Sequence, residues 1–198
     1  AIRRSDDGQR LKIARYAPRP QWAGKSLAEI ARLESQSPID IALQITRGGG
    51  AAIVNFSMSE EDVRFVMSLP WVATASDGRA YLPGGDRPHP RSYGTFARKI
   101  GVYSISDHVV DLAQAIRSAA SLPAEILGLT DRGRVQAGLA ADLVIFDPAQ
   151  FRDTATYDEP HRPAQGVRYL LVNGQPAVWN GTPTGAVAGR PLKKPRQP

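Results

Sequence analysis

The sequence predicts an α/β fold, and three observations carry that expectation. Between residues 26 and 76, amphipathic helical stretches alternate with short apolar, β-branched runs across brief connections. Such alternation is the signature of α/β units built on a parallel sheet. The second of those runs ends in Asp77, and the strand-end mouth is where barrel enzymes keep their reactive groups. After Gly133 the pattern changes to short strand candidates, two of them joined by Asn173-Gly174, a strong hairpin signal.

The elements follow in order. Residues 1–25 are polar, basic and broken by Pro18 and Pro20, so they read as an irregular lead-in with one short strand, Leu11 to Tyr16. Ser26-Leu27-Ala28-Glu29 has the form of a capping box, with Leu27, Ile30 and Ala31 as the apolar stripe of a short helix. Ser37-Pro38 restarts a helix with proline at its first position, and Gly48-Gly49-Gly50 stops it near Thr46. Residues 51–58 form an apolar, β-branched run that reads as a buried strand. Ser59-Glu60-Glu61-Asp62 opens the next helix with acids where its dipole favours them, and Pro70 ends it. Trp71 to Ser76 then reads as a second buried strand.

Residues 78–103 read as a long loop rich in Gly and Pro, a length that is usually functional inside a compact domain. Ser106 or Asp107 caps a helix whose apolar positions are Val109, Leu112, Ala113, Ile116 and Ala120. Ser121-Leu122-Pro123 starts a short helix through Leu127. Beyond Gly133, the strand candidates are Arg134-Val135, Leu143 to Phe146, Val167 to Val172 and Ala177 to Trp179.

Composition narrows the function classes. The chain has 198 residues and 42% apolar side chains, enough for a real core. No apolar run approaches the roughly 20 residues that span a bilayer, so no membrane role is expected. No apolar stretch follows Arg3-Arg4, so the start is not a secretory signal. The expected location is cytoplasmic, with secreted and periplasmic locations left open. There is no cysteine, which excludes disulfides and thiolate zinc sites within the chain. The net charge of +6 is concentrated at the two ends, in Arg3, Arg4, Arg10, Lys12, Arg15 and Arg19 and in Arg190, Lys193, Lys194 and Arg196. A nucleic-acid surface would interleave basic and aromatic residues on one folded face, so these ends read as solvated tails and no nucleic-acid partner is expected.

The candidate site residues cluster at the ends of the two apolar runs and in the loop that follows. Asp77 before Gly78 either makes a strand-end turn or stands as a carboxylate at the site. Arg91 can grip a carboxylate through two parallel hydrogen bonds or pair with a local acid such as Asp86. His89 either orients groups at the site or is a turn histidine before Pro90. Asn55 and Ser57 end the first run; Ser76 and Gly78 flank Asp77; all four are candidate pocket-lining residues. His108 and His161 read as surface residues, and Gly94 and Gly166 as turn positions.

The stretch Gly133-Arg134-Val135-Gln136-Ala137-Gly138-Leu139-Ala140-Ala141-Asp142-Leu143-Val144-Ile145-Phe146-Asp147 resembles the segment that follows the barrel in the amidohydrolase superfamily. Val172-Asn173-Gly174 is similar to that family's later hairpin. A narrower resemblance, to the D-aminoacylase branch of N-acyl-D-amino-acid deacylases, rests on four stretches. These are Ser76-Asp77-Gly78, His89-Pro90-Arg91-Ser92-Tyr93-Gly94-Thr95-Phe96, Met58-Ser59-Glu60-Glu61-Asp62-Val63 and Ala155-Thr156-Tyr157. The resemblance covers the chain from about Leu11 to Leu192 but only the C-terminal part of a family member.

The resemblance implies a zinc-bearing (β/α)8 barrel with a small β-sandwich, here its C-terminal portion, with 51–58 as the seventh barrel strand and 72–76 as the eighth. On that map 1–132 is a partial barrel segment, 133–190 part of the sandwich and 191–198 a basic tail. The implied activity is zinc-dependent hydrolysis of the amide bond of N-acyl-D-amino acids. Asp77 would be the catalytic carboxylate and the chain's contribution to the metal site, while Arg91, with His89, would bind the substrate. The only histidines are His89, His108 and His161, and no two share ligand spacing, so further zinc ligands are expected outside this chain. Two barrel strands would leave open edges, which implies the N-terminal portion of the same enzyme or a companion chain as partner. Two other readings stay open: a metal-free, non-catalytic remnant or subunit, and a cyclic-amide hydrolase.

Overall fold

The computed structural model describes residues 6–192, which form two compact units. Of the basic ends, Arg3, Arg4, Lys193, Lys194 and Arg196 lie outside the described residues.

The first unit comprises 6–60, 77–93 and 155–162. Its strand β1 (Leu11–Arg15) pairs antiparallel with β2 (Ala52–Asn55), Ile13 opposite Ile53. Between them lie α1 (Leu27–Leu33) and α2 (Pro38–Arg47). The Ser26 hydroxyl accepts from the Glu29 N–H, and the Glu29 carboxylate accepts from the Ser26 N–H at 2.6 Å, so the expected capping box is formed. Ser37 caps α2 by accepting from the Asp40 N–H. Ile13, Tyr16, Trp22, Leu27, Ile30, Ala31 and Ile41 make the core. Tyr16 stacks on Trp22, and the Trp22 indole donates to Glu34 at 3.2 Å, which keeps the buried N–H satisfied.

The second unit comprises 61–76, 94–154 and 163–192. Helix α3 (Glu60–Ser68) leads into it, and α4 (Arg91–Arg98) continues without a break into a π-helix, Lys99–Ser106. Helices α5 (Leu112–Ala119) and α6 (Ser121–Leu127) follow. Strands β3 (Leu143–Phe146), β4 (Val167–Val172), β5 (Gln175–Trp179) and β6 (Thr182–Pro183) form one antiparallel sheet in that order. Asn173 and Gly174 both take positive φ, as a tight hairpin turn between twisted strands requires. The core gathers Ala97, Ile100, Val110, Ala115 and Phe151.

Several expectations are corrected. The first apolar run is a strand only over Ala52–Asn55, and its partner β1 is antiparallel rather than parallel. Trp71 to Ser76 is no strand; Trp71 is 71% exposed, and the segment's backbone bonds include a turn, Val72 N–H to the Leu69 carbonyl at 3.2 Å, and Thr74 N–H to the Ser118 carbonyl at 2.8 Å. A strand is defined by its neighbours, and among the described residues this segment has none to pair with. The long loop ends at Pro90, because 91–106 is helical and Gly94 lies inside α4. Packing decides that position: a Cβ on Gly94 would approach the Asp153 Cβ to 2.8 Å. Helix α5 is capped by Asp111, whose carboxylate accepts from the Gln114 N–H, and not by Ser106 or Asp107. Arg134-Val135 is irregular.

Lys99 is 4% exposed, and its ammonium donates to the hydroxyls of Thr74 and Ser118, the latter at 2.7 Å. Burial pushes its pKa below the ordinary lysine value.

Candidate functional site

Most of the candidate residues fall in the first unit, on the stretch 77–93 and at the end of β2. Asp77 takes φ +47°, a left-handed conformation that aspartate tolerates better than most residues. Its carboxylate is 85% exposed, and Oδ2 lies 2.7 Å from Arg91 Nη2. Asp86, the alternative acid for Arg91, faces Arg15 instead at 3.7 Å.

His89-Pro90-Arg91 is the turn that opens α4. The His89 carbonyl accepts from the Ser92 N–H at 3.2 Å and the Pro90 carbonyl from the Tyr93 N–H at 3.0 Å. His89 Nδ1 accepts from the Arg91 N–H at 3.0 Å. A neutral imidazole that accepts at Nδ1 carries its proton on Nε2, and that nitrogen lies 3.3 Å from the Tyr157 hydroxyl. Burial, and then the Arg91 charge, hold the His89 pKa below the ordinary histidine value, with Asp77 opposing.

Asn55 and Ser57 are exposed; Asn55 sits opposite Leu11 in the β1–β2 ladder, and its carbonyl accepts from the Ser57 N–H. Gly78 follows Asp77 in the same unit, whereas Ser76 belongs to the second. Thus Asp77, Arg91 and His89 are brought together by direct contacts.

The sequence reading missed Tyr157, Tyr93 and His161. His161, expected at the surface, is partly buried, with Nδ1 at 3.0 Å from the Tyr93 hydroxyl and Nε2 at 2.9 Å from the Asp86 carbonyl. No local pattern marks these pairings, because they join segments 68 residues apart.

The Asp77–Arg91 pair is exposed on both sides, so it contributes no more than about 1 kcal/mol to stability. It is therefore poor as a structural fastener and well suited to exchange: an incoming carboxylate can replace Asp77 on the guanidinium. Among the described residues no group of three or more His, Asp or Glu side chains could hold a metal ion. The described residues alone do not fit a metal centre; Asp77 is a lone carboxylate.

No helix among the described residues is long and apolar enough to cross a membrane. The profile of the amidohydrolase family matches residues 8–178. The chain is 37% identical over 177 residues to a D-aminoacylase of Alcaligenes xylosoxydans xylosoxydans, covering 89% of this chain and 35% of that protein. It is 35% identical over 191 residues to an N-acyl-D-glutamate deacylase of the same organism, covering 96% of this chain and 38% of that protein. The crystal structure of N-acyl-D-glutamate deacylase from Bordetella Bronchiseptica, complexed with zinc and a phosphonate inhibitor, superposes with a TM-score of 0.82 at 34% identity. That match covers 96% of this chain and 38% of the other. The chain therefore spans little more than a third of the length of the relatives it matches.

Proposed function

The chain belongs to the amidohydrolase family, and on that premise we propose that it is the C-terminal portion of an N-acyl-D-amino-acid deacylase. The reaction is hydrolysis: a water oxygen bonds to the acyl carbon, the C–N bond breaks, and a carboxylate and a free D-amino acid leave. Asp77 accepts the proton from the attacking water and returns one to the departing nitrogen. Arg91 holds the substrate's α-carboxylate through its planar fork, and His89 fixes the backbone at Arg91. Asn55, Ser57 and Gly78, all in the first unit, are read as lining the same mouth.

The observation that carries this reading is the 2.7 Å contact of Arg91 with Asp77. A carboxylate-binding cation and a proton-accepting carboxylate then stand within one amino acid's span. A substrate that takes over the guanidinium leaves Asp77 free beside its own scissile bond.

Residues 1–132 are read as a partial (β/α)8 barrel segment, in which 72–76, irregular in this chain, would become a strand only beside neighbours from the missing portion. Residues 133–190 are read as part of a β-sandwich, and 191–198 as a basic tail. The N-terminal portion of the same enzyme or a companion chain would complete the barrel. The Bordetella relative is complexed with zinc; the ligands for such an ion would come from that missing portion, with Asp77 this chain's contribution.

The test is metal content measured together with hydrolysis of N-acetyl-D- and N-acetyl-L-amino acids. Release of free amino acid from the D-enantiomer alone supports the reading. Failure of the complete, metal-loaded enzyme (this chain with the portion that supplies the remaining ligands) to cleave either enantiomer overturns it.

A further inference from the structure

The segment 155–162 and the stretch 78–93 are fastened to each other by two reciprocal tyrosine–histidine contacts. Tyr157 of the segment meets His89 of the stretch: the hydroxyl is 3.3 Å from Nε2, and the rings meet edge-on with centroids 5.1 Å apart. His161 of the segment meets Tyr93 of the stretch: Nδ1 is 3.0 Å from the hydroxyl, and the rings again meet edge-on, at 5.5 Å. The outer nitrogen of His161 reaches the Asp86 carbonyl, and Arg87 Nη1 donates to the Asp158 carbonyl at 2.9 Å.

These contacts bracket Arg91. On one side, His89 takes the Arg91 N–H on Nδ1 and offers its Nε2 proton to the Tyr157 hydroxyl, so the ring bridges the Arg91 backbone and the Tyr157 side chain. On the other side, the Tyr93 hydroxyl is shared between His161 and the Tyr81 carbonyl, 2.7 Å away. The stretch from Asp77 to Pro90 has no helix or strand of its own. The stretch is also tied by the Arg87 N–H to the Ala14 carbonyl at 2.8 Å and by the Arg79 N–H to the Ser92 hydroxyl at 3.3 Å, but the tyrosine–histidine contacts are the ones that flank Arg91 itself.

We propose that Tyr157 and His161 are positioning residues for Arg91: the segment 155–162 is a strap that fixes where the substrate's carboxylate is gripped. This rests on the reading of Arg91 given above.

The test is steady-state kinetics of the complete enzyme, this chain together with its N-terminal portion or companion chain, carrying Tyr157→Phe and His161→Gln, each alone and combined with Arg91→Ala, on an N-acyl-D-amino acid. Loss of binding common to ground and transition states raises KM by about tenfold while kcat stays within about twofold. In the Arg91→Ala background the strap substitutions add nothing further. An unchanged KM in both single variants, or an equal rise without Arg91, overturns the proposal. Should Arg91→Ala itself leave KM unaltered, the reading of Arg91 falls and the strap with it; an Arg91-sensitive KM that ignores Tyr157 and His161 sinks the strap alone. A readout independent of activity is limited trypsin digestion after Arg79, which precedes Ala80. Cleavage there is expected to quicken about tenfold in the strap variants at an unaltered melting temperature; equal rates overturn the proposal.

Discussion

Asp77 and Arg91 meet at 2.7 Å across a stretch of irregular backbone, both side chains open to solvent. A pair so placed is readily exchanged, and that property frames the expectations for both residues.

Asp77→Asn keeps the shape of the side chain and removes its basicity. Losing a positioned proton acceptor lowers kcat by about 10²–10⁴-fold. Because the carboxylate is exposed, thermal unfolding should stay within experimental scatter of the parent. A variant that retains parental kcat would remove Asp77 from the chemistry.

Arg91→Lys keeps the charge but loses the planar fork. Two charge-assisted hydrogen bonds become one, and KM for an N-acyl amino acid should rise by about ten- to a hundredfold. The companion measurement uses a substrate whose α-carboxylate is a carboxamide. Parent and variant should bind that analogue equally, and a rise of the same size on it would show that Arg91 grips something else.

The pH dependence of stability has a definite sign at His89. Its folded pKa is depressed, so between that value and the ordinary 6.5 the unfolded chain binds more protons than the folded one. Stability rises with pH through this window and is lost as pH falls below 6.5. Protonation also removes the acceptor that Nδ1 offers to the Arg91 N–H. Melting temperatures between about pH 5 and pH 7 should fall less steeply for His89→Gln than for the parent. Parallel curves would mean that His89 titrates as a free histidine.

Gly101→Ala tests the π-helix. A Cβ there would be driven into the backbone carbonyl of Phe151. Alanine gains about 1 kcal/mol over glycine in a helix interior, whereas overpacking against fixed backbone costs about 1–3 kcal/mol or more. The clash wins, and chemical denaturation should show a net loss of stability. A stabilised variant would mean that the approach of 101 to 151 is looser than it stands.

What was legible in the sequence follows the range of the forces involved. The capping box at Ser26 and Glu29, the Ser37-Pro38 start and the Asn173-Gly174 turn are settled within a few residues, and each forms as read. Trp71 to Ser76 has strand composition, but strand formation needs a neighbour that composition does not supply. Helix α4 was hidden because Gly94 and the prolines before it signal a turn, while packing against Asp153 favours a residue without a side chain. Asp77, His89 and Arg91 could be nominated from residue type and resemblance. Tyr157 and His161 could not, since their partners are distant in sequence and only the folded chain brings them near.

The ammonium of Lys99 sits among hydroxyl dipoles, with no counter-ion beside it among the described residues, and burial lowers its pKa. A solution that turns alkaline meets this amine as a nucleophile sooner than it would a free lysine, yet the amine is sealed from reagents until the helices around it part. Its acylation therefore serves as a clock for that opening.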